Sequence, residues 1–158
     1  MTKKLNLGVI GIDHGHIFDM LDEMLKEGCS CNYFWTEGNP LTLKEFEKKY
    51  PNIERKENKE EILNDSSIDM ILISSVPVDR ATHSINALKA GKDVMVDKPG
   101  CTNLNQLNNL KKTVKETGKI WSVNFSERFH VAAVAKAEEL VSEGKIGKVK
   151  QTIGTGPH

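Results

Sequence analysis

Short apolar runs alternate with longer amphipathic stretches along almost the whole chain, and few architectures accept that rhythm. Leu5 to Ile10 reads as a strand, after which Ile17, Met20, Leu21, Met24 and Leu25 recur at helical spacing and Gly28 closes the helix. Asn32 to Trp35 is a second strand, and the helix after it takes Pro40 into its first turn and stops before Pro51. Ile53 to Leu63 holds a short strand and a short helix. Met70 to Ser74 (MILIS) is a further strand, and Ala81, Ile85 and Leu88 mark the next helix. Val94 to Val96 is a continuous apolar strand behind Gly91, which supplies a left-handed helix stop. Thr102 or Asn103 caps a helix bearing Leu104, Leu107, Leu110 and Val114. Ile120 to Asn124 is a sixth strand, Val134, Ala137, Leu140 and Val141 lie on a last helix ending near Gly144, and Lys148 to Ile153 (KVKQTI) alternates as a strand does. Strands separated by helices demand right-handed crossovers and a mostly parallel sheet covered on both faces. The predicted fold is therefore α/β, doubly wound and Rossmann-like, with a short C-terminal strand.

The bulk numbers narrow the partners. With 158 residues the chain can bury a full core without disulfides. Lys plus Arg and Asp plus Glu are 22 each, with no long basic block, which argues against nucleic acid and anionic membrane as partners. The charged stretch from Lys44 to Glu61 interleaves both signs and reads as solvated helix surface. The amino terminus runs straight into a strand pattern rather than a secretion signal, and no segment approaches the ~20 apolar residues of a membrane span. Cys29, Cys31 and Cys101 are odd in number and widely split, which suits a reducing compartment; the expected location is cytoplasmic. Cys29 and Cys31 are too loosely spaced to define a metal site.

Chemistry concentrates at the ends of the predicted strands, where open α/β sheets bind ligands. Asp97, Lys98 and Pro99 follow the Val94 to Val96 strand, and a lysine wedged between an acid and a proline there is a candidate catalytic group. In a dinucleotide-binding fold the turn after the first strand reads GxGxxG, so that backbone amides receive pyrophosphate. Here it reads Gly11, Ile12, Asp13, His14, Gly15, His16, with only the first glycine in register. Asp13 occupies phosphate space with a like charge, and it can instead cap the following helix. Protonated His14 and His16 would partly offset it, and Asp13, His14 and His16 together could also ligate a metal, although further ligands are not visible. A tight polar turn is the plain alternative. Glu37, beyond Trp35 and Thr36, stands near the position from which an acid holds the adenosine ribose, and the choice between NAD and NADP stays open.

Taken in order, LGVIG (Leu7 to Gly11), ALKAGKDVMVDKP (Ala87 to Pro99), NFSERF (Asn124 to Phe129) and EGKIGKV (Glu143 to Val149) resemble the amino-terminal domain of the Gfo/Idh/MocA oxidoreductases. That family usually has EKP where this chain has DKP. The resemblance implies nicotinamide-dependent oxidation of a sugar, cyclitol or similar hydroxyl compound. It implies that Lys98 stands beside the nicotinamide and the reacting hydroxyl, with a cis bond before Pro99, and that Asp97 meets the nicotinamide ribose. Ser74, Ser75 and Pro77 would line the cofactor cleft together with the loop from Gly11 to Gly15 and with Thr36 and Glu37. Arg80 stands where many members have histidine, and Asn124 and Arg128 would face the same cleft or serve structure.

Two departures limit that expectation. The phosphate loop is altered, and the family's second domain, which supplies most substrate contacts, has no counterpart in this sequence. Residues 1–146 are expected to form the dinucleotide-binding domain, and 147–158 to be a remnant of the first strand of the substrate domain. The expected partners are a nicotinamide dinucleotide, a small-molecule substrate only when a second domain is supplied, and a second copy paired through the C-terminal strand or else a tail folded back. The readings that compete are the cofactor half of an oxidoreductase, a non-catalytic nucleotide-sensing or partner-binding module, and a metal site on the histidine loop.

Overall fold

The computed structural model describes residues 4–125 and 131–154. The chain divides into two compact units, Met1–Asn124 and Phe125–His158. In the first, β1 (Asn6–Ile12), α1 (His16–Lys26), β2 (Ser30–Trp35), α2 (Leu43–Lys49), β3 (Glu54–Arg55), α3 (Lys59–Leu63), β4 (Met70–Ser74), α4 (Pro77–Lys89), β5 (Asp93–Asp97), α5 (Leu104–Thr117) and β6 (Trp121–Asn124) follow one another. The sheet order is β3-β2-β1-β4-β5-β6, and every pairing is parallel. Strand order therefore reverses between β1 and β4, and the crevice beyond the carboxyl ends of those two strands is where such sheets take ligands.

Side-chain alternation divides the core into two layers, one on each face of the sheet. Ile10, Ile71, Ile73, Val94 and Val96 pack with Ile62, Ala81, Ala87, Leu88 and Leu110. Leu7, Val9, Ile12, Phe34 and Leu72 pack with Ile17, Met20, Leu21, Phe46 and Tyr50. Full burial of each such aliphatic side chain contributes roughly 1.5–3 kcal/mol. Ile12 shares a layer with Val9, three residues back, because β1 carries a register shift: Ile10 pairs with Ile73, and Ile12 with Ser74. Gly11 is the extra residue of this bulge.

Three local expectations require correction. The helix near Pro40 begins only at Leu43, because the hydroxyl of Thr42 donates to the Ile12 carbonyl and fixes the chain there first. Asp13 does not cap α1; Gly15 is the N-cap, with no side-chain bond. Residues 148–153 have no strand, since alternation supplies a face but no ladder partner. By contrast, Asn103 caps α5 as expected, accepting from the Gln106 N–H at 2.9 Å.

In the second unit α6 (Ala132–Ser142) ends as predicted beside Gly144, where the Lys145 N–H reaches back to the Leu140 carbonyl at 3.0 Å. Among the described residues no helix is long and apolar enough to cross a membrane.

Candidate functional site

The turn after β1 touches the end of β4 and the residue that follows it. Gly11 has φ 78°, and a Cβ there would lie 2.4 Å from Ser75 Cβ, so only glycine fits. The loop amides beyond it are largely engaged within the protein. The His14 N–H donates to the Ser74 carbonyl at 3.2 Å, the His16 N–H to His14 Nδ1 at 3.2 Å, and the Ile17 N–H to the His14 carbonyl at 3.2 Å. Phe18 N–H closes on the Gly15 carbonyl at 3.1 Å. His14 thus performs the closure that sequence reasoning assigned to Asp13, which stands too early to reach the first-turn amides. Burial lowers the pKa of His14, so near neutrality it is uncharged and does not offset Asp13.

Asp13 and Glu37 line one recess, together with Gly11, Trp35, Ser75, Val76, Asp79 and His83. Burial raises the pKa of Asp13 above the ordinary carboxylate value. Ser75 Oγ and His83 Nδ1 are buried there with no hydrogen-bond partner. Thr36 is buried next to Glu37, and its hydroxyl is likewise unpartnered. The side chain of Ile12 belongs to the core, Gly15 is exposed, and Pro77 is the exposed first residue of α4.

A second cluster is centred on Asp97, at the end of β5 and fully buried. Arg80 Nη2 donates to Asp97 Oδ2 at 2.9 Å, and Ser74 Oγ lies 3.5 Å from the same oxygen. His16 Nδ1 stands 2.8 Å from Asp97 Oδ1, and His14 Nδ1 3.4 Å from Oδ2. Arg80 also donates from Nε to the Ser75 carbonyl at 2.7 Å and from Nη1 to the carbonyls of Lys98 and Pro99. One buried guanidinium therefore ties the loop after β4 to the loop after β5. The Lys98–Pro99 bond is cis, as the resemblance implied, and Lys98 is partly buried. Asn124 pairs in register with Asp97, whereas Arg128 lies outside the described residues.

The sequence marks Arg80 but not its clamp, nor Trp35, Asp79 and His83 as recess walls. Position gave one usable signal. Arg80 falls on the first turn of α4, opposite the end of β5, where a buried cation needs the acid that Asp97 supplies. Cys31 offers no competing chemistry, since burial pushes its thiol up to about 12.

The chain's relatives share this architecture. A family model described as an oxidoreductase family with an NAD-binding Rossmann fold matches residues 6–125. The scyllo-inositol 2-dehydrogenase (NAD(+)) of Bacillus subtilis (strain 168) is 35% identical over 88 residues, covering 56% of this chain and 25% of that protein. The 1-carboxy-3-chloro-3,4-dihydroxycyclo hexa-1,5-diene dehydrogenase of Comamonas testosteroni is 25% identical over 146 residues, which is 92% of this chain and 36% of that one. A crystal structure from Erwinia carotovora atroseptica SCRI1043 superposes with a TM-score of 0.87 at 33% identity, over 92% of this chain and 43% of that one. The chain thus spans less than half the length of each of these relatives. A match over 6–125, on a sheet of order β3-β2-β1-β4-β5-β6, means that the chain belongs to the Gfo/Idh/MocA oxidoreductase family and carries its NAD-binding Rossmann domain.

Proposed function

We propose that this chain is the cofactor-holding half of an oxidoreductase that acts on a sugar, cyclitol or similar hydroxyl compound, with NAD as its dinucleotide. One observation carries the reading: Gly11, Ser75 and Lys98 share the carboxyl edge of β1, β4 and β5, at the reversal of strand order. The recess suits the adenosine ribose, because Glu37 can accept from its hydroxyls and the orphaned Ser75 hydroxyl offers a further partner. Its lining holds Asp13, Glu37 and Asp79 and no lysine or arginine, a charge set that disfavours the added phosphate of NADP.

A bound nicotinamide would supply the hydride acceptor. Lys98 holds the reacting hydroxyl oxygen and eases loss of its proton, with its backbone fixed by Arg80. Asp97 acts by orienting Arg80 and His16 beside that lysine. Residues 1–146 form the dinucleotide domain in this reading, and 147–158 lead into a substrate domain, where 148–153 gain a strand partner there or on a second copy.

Calorimetric titration with NAD+, NADH, NADP+ and NADPH tests the proposal: NAD(H) binds at least about tenfold more tightly than NADP(H). The engagement of the loop amides favours one alternative, a non-catalytic nucleotide-sensing or partner-binding module. Absence of binding at millimolar dinucleotide would select that alternative.

A further inference from the structure

We propose that His14, His16 and Asp97 form a binding site for a divalent cation of borderline softness, with Zn2+ as the type ion. Their ligand atoms all lie within 4.8 Å of one another, on two segments that meet only through the fold. His16 Nδ1 stands 2.8 Å from Asp97 Oδ1, somewhat inside the roughly 3.4 Å between neighbouring ligands around a tetrahedral ion with bonds of about 2.1 Å, so this pair opens a little to admit the ion. The imidazole rings stand edge to face, 4.2 Å between centroids, so both can address one point without stacking.

The surroundings are those of a supported ligand set. A coordinating carboxylate is normally held by an outer partner, and Arg80 Nη2 holds Asp97 Oδ2 at 2.9 Å, which leaves Oδ1 to the ion. Two imidazoles and a carboxylate suit Zn2+ and its neighbours better than Mg2+ or Ca2+. Burial is graded in the useful direction: the Asp97 side chain is 1% exposed, His16 20% and His14 50%, so an ion entering past His14 reaches a fixed anchor. The α1 dipole, Arg80 and Lys98 oppose a cation, and the His16 N–H must yield where it donates to His14 Nδ1, but these act through space or through one weak bond, whereas the three donors bond to the ion directly. Three protein ligands leave a four-coordinate ion one position open for a hydroxyl or carboxylate oxygen of a ligand. The site does not depend on dinucleotide binding.

The test uses the full chain, stripped with chelator and titrated with Zn2+ by calorimetry and with Co2+ by visible absorption. One ion binds per chain, with the absorption of nitrogen and oxygen ligation. His14→Ala and His16→Ala, checked for folding by circular dichroism, each weaken binding by at least the tenfold to hundredfold loss that follows removal of an outer-shell partner. His14 is half exposed, so its variant keeps the result readable if His16→Ala misfolds. No saturable binding at micromolar Zn2+ would overturn the proposal. So would affinity unchanged in a folded His14→Ala variant, or a thiolate charge-transfer band in the Co2+ spectrum, which would locate the ion at cysteine.

Discussion

Arg80 Nη2 lies 2.9 Å from Asp97 Oδ2, with 2% of one side chain and 1% of the other exposed, so each is the other's principal counter-charge in a water-poor setting. Breaking such a pair from one side leaves a buried charge uncompensated, which costs about 3–5 kcal/mol. Arg80→Met should therefore lower the unfolding free energy by that amount in urea, and adding Asp97→Asn should recover part of it. A loss below about 1 kcal/mol would mean that the pair is solvated.

Gly11→Ala should fail for two reasons that add. The new Cβ would stand 2.4 Å from Ser75 Cβ, and φ 78° strains any side chain. A loss of about 2 kcal/mol or more is expected, read from the urea midpoint. Gly15→Ala is the control, because nothing lies within 4 Å of its added Cβ.

Asp13→Gly should tighten dinucleotide binding. Like charges about 5 Å apart repel by roughly 3 kcal/mol at an effective dielectric near 20, and screening at this half-buried site leaves a gain of about tenfold. Burial raises the pKa of Asp13. Wild-type affinity should therefore increase as pH falls and the carboxylate takes up its proton, while the Asp13→Gly profile stays flatter. Calorimetry across pH checks both; an affinity that weakens with acid in the wild type alone contradicts the assignment.

His83 gives the fold a pH dependence of known sign. Burial, aided by the Lys59 charge, lowers its pKa from 6.5. The unfolded chain takes up a proton near that value which the folded ring refuses, so the contribution is complete above pH 6.5 and is lost as pH falls toward the lower folded value. Urea midpoints at pH 7.5 and about 5.5 should differ more in the wild type than in His83→Gln.

What was legible in the sequence, and what was not, follows from the range of the forces involved. MILIS announced β4 because a central parallel strand is buried on both faces, and its end at Ser74 fell where the apolar run stopped. The α2 start did not show, because it is fixed by the Thr42 hydroxyl on the Ile12 carbonyl, a contact across 30 positions. The histidines show as a pair in one turn, and the acid the sequence sets beside them is Asp13. The residue they meet is Asp97, 81 positions away from His16, and only the alignment of β1, β4 and β5 makes them neighbours. The recess walls Asp79 and His83 were hidden likewise, since nothing local separates a helix residue facing a cleft from one facing water.

The bulge at Gly11 acts as an odd–even switch on everything after it. By inserting one residue between the pairs Ile10–Ile73 and Ile12–Ser74, it sets which later residues fall to each side of the chain. With the insertion, Asp13 turns into the recess and His14 onto Asp97. Deleting one residue there would exchange those directions, sending an imidazole toward the recess and a carboxylate toward Asp97. The division of this carboxyl edge into an acidic chamber and an imidazole cluster is thus a matter of counting: it is written in the length of the turn as much as in its letters.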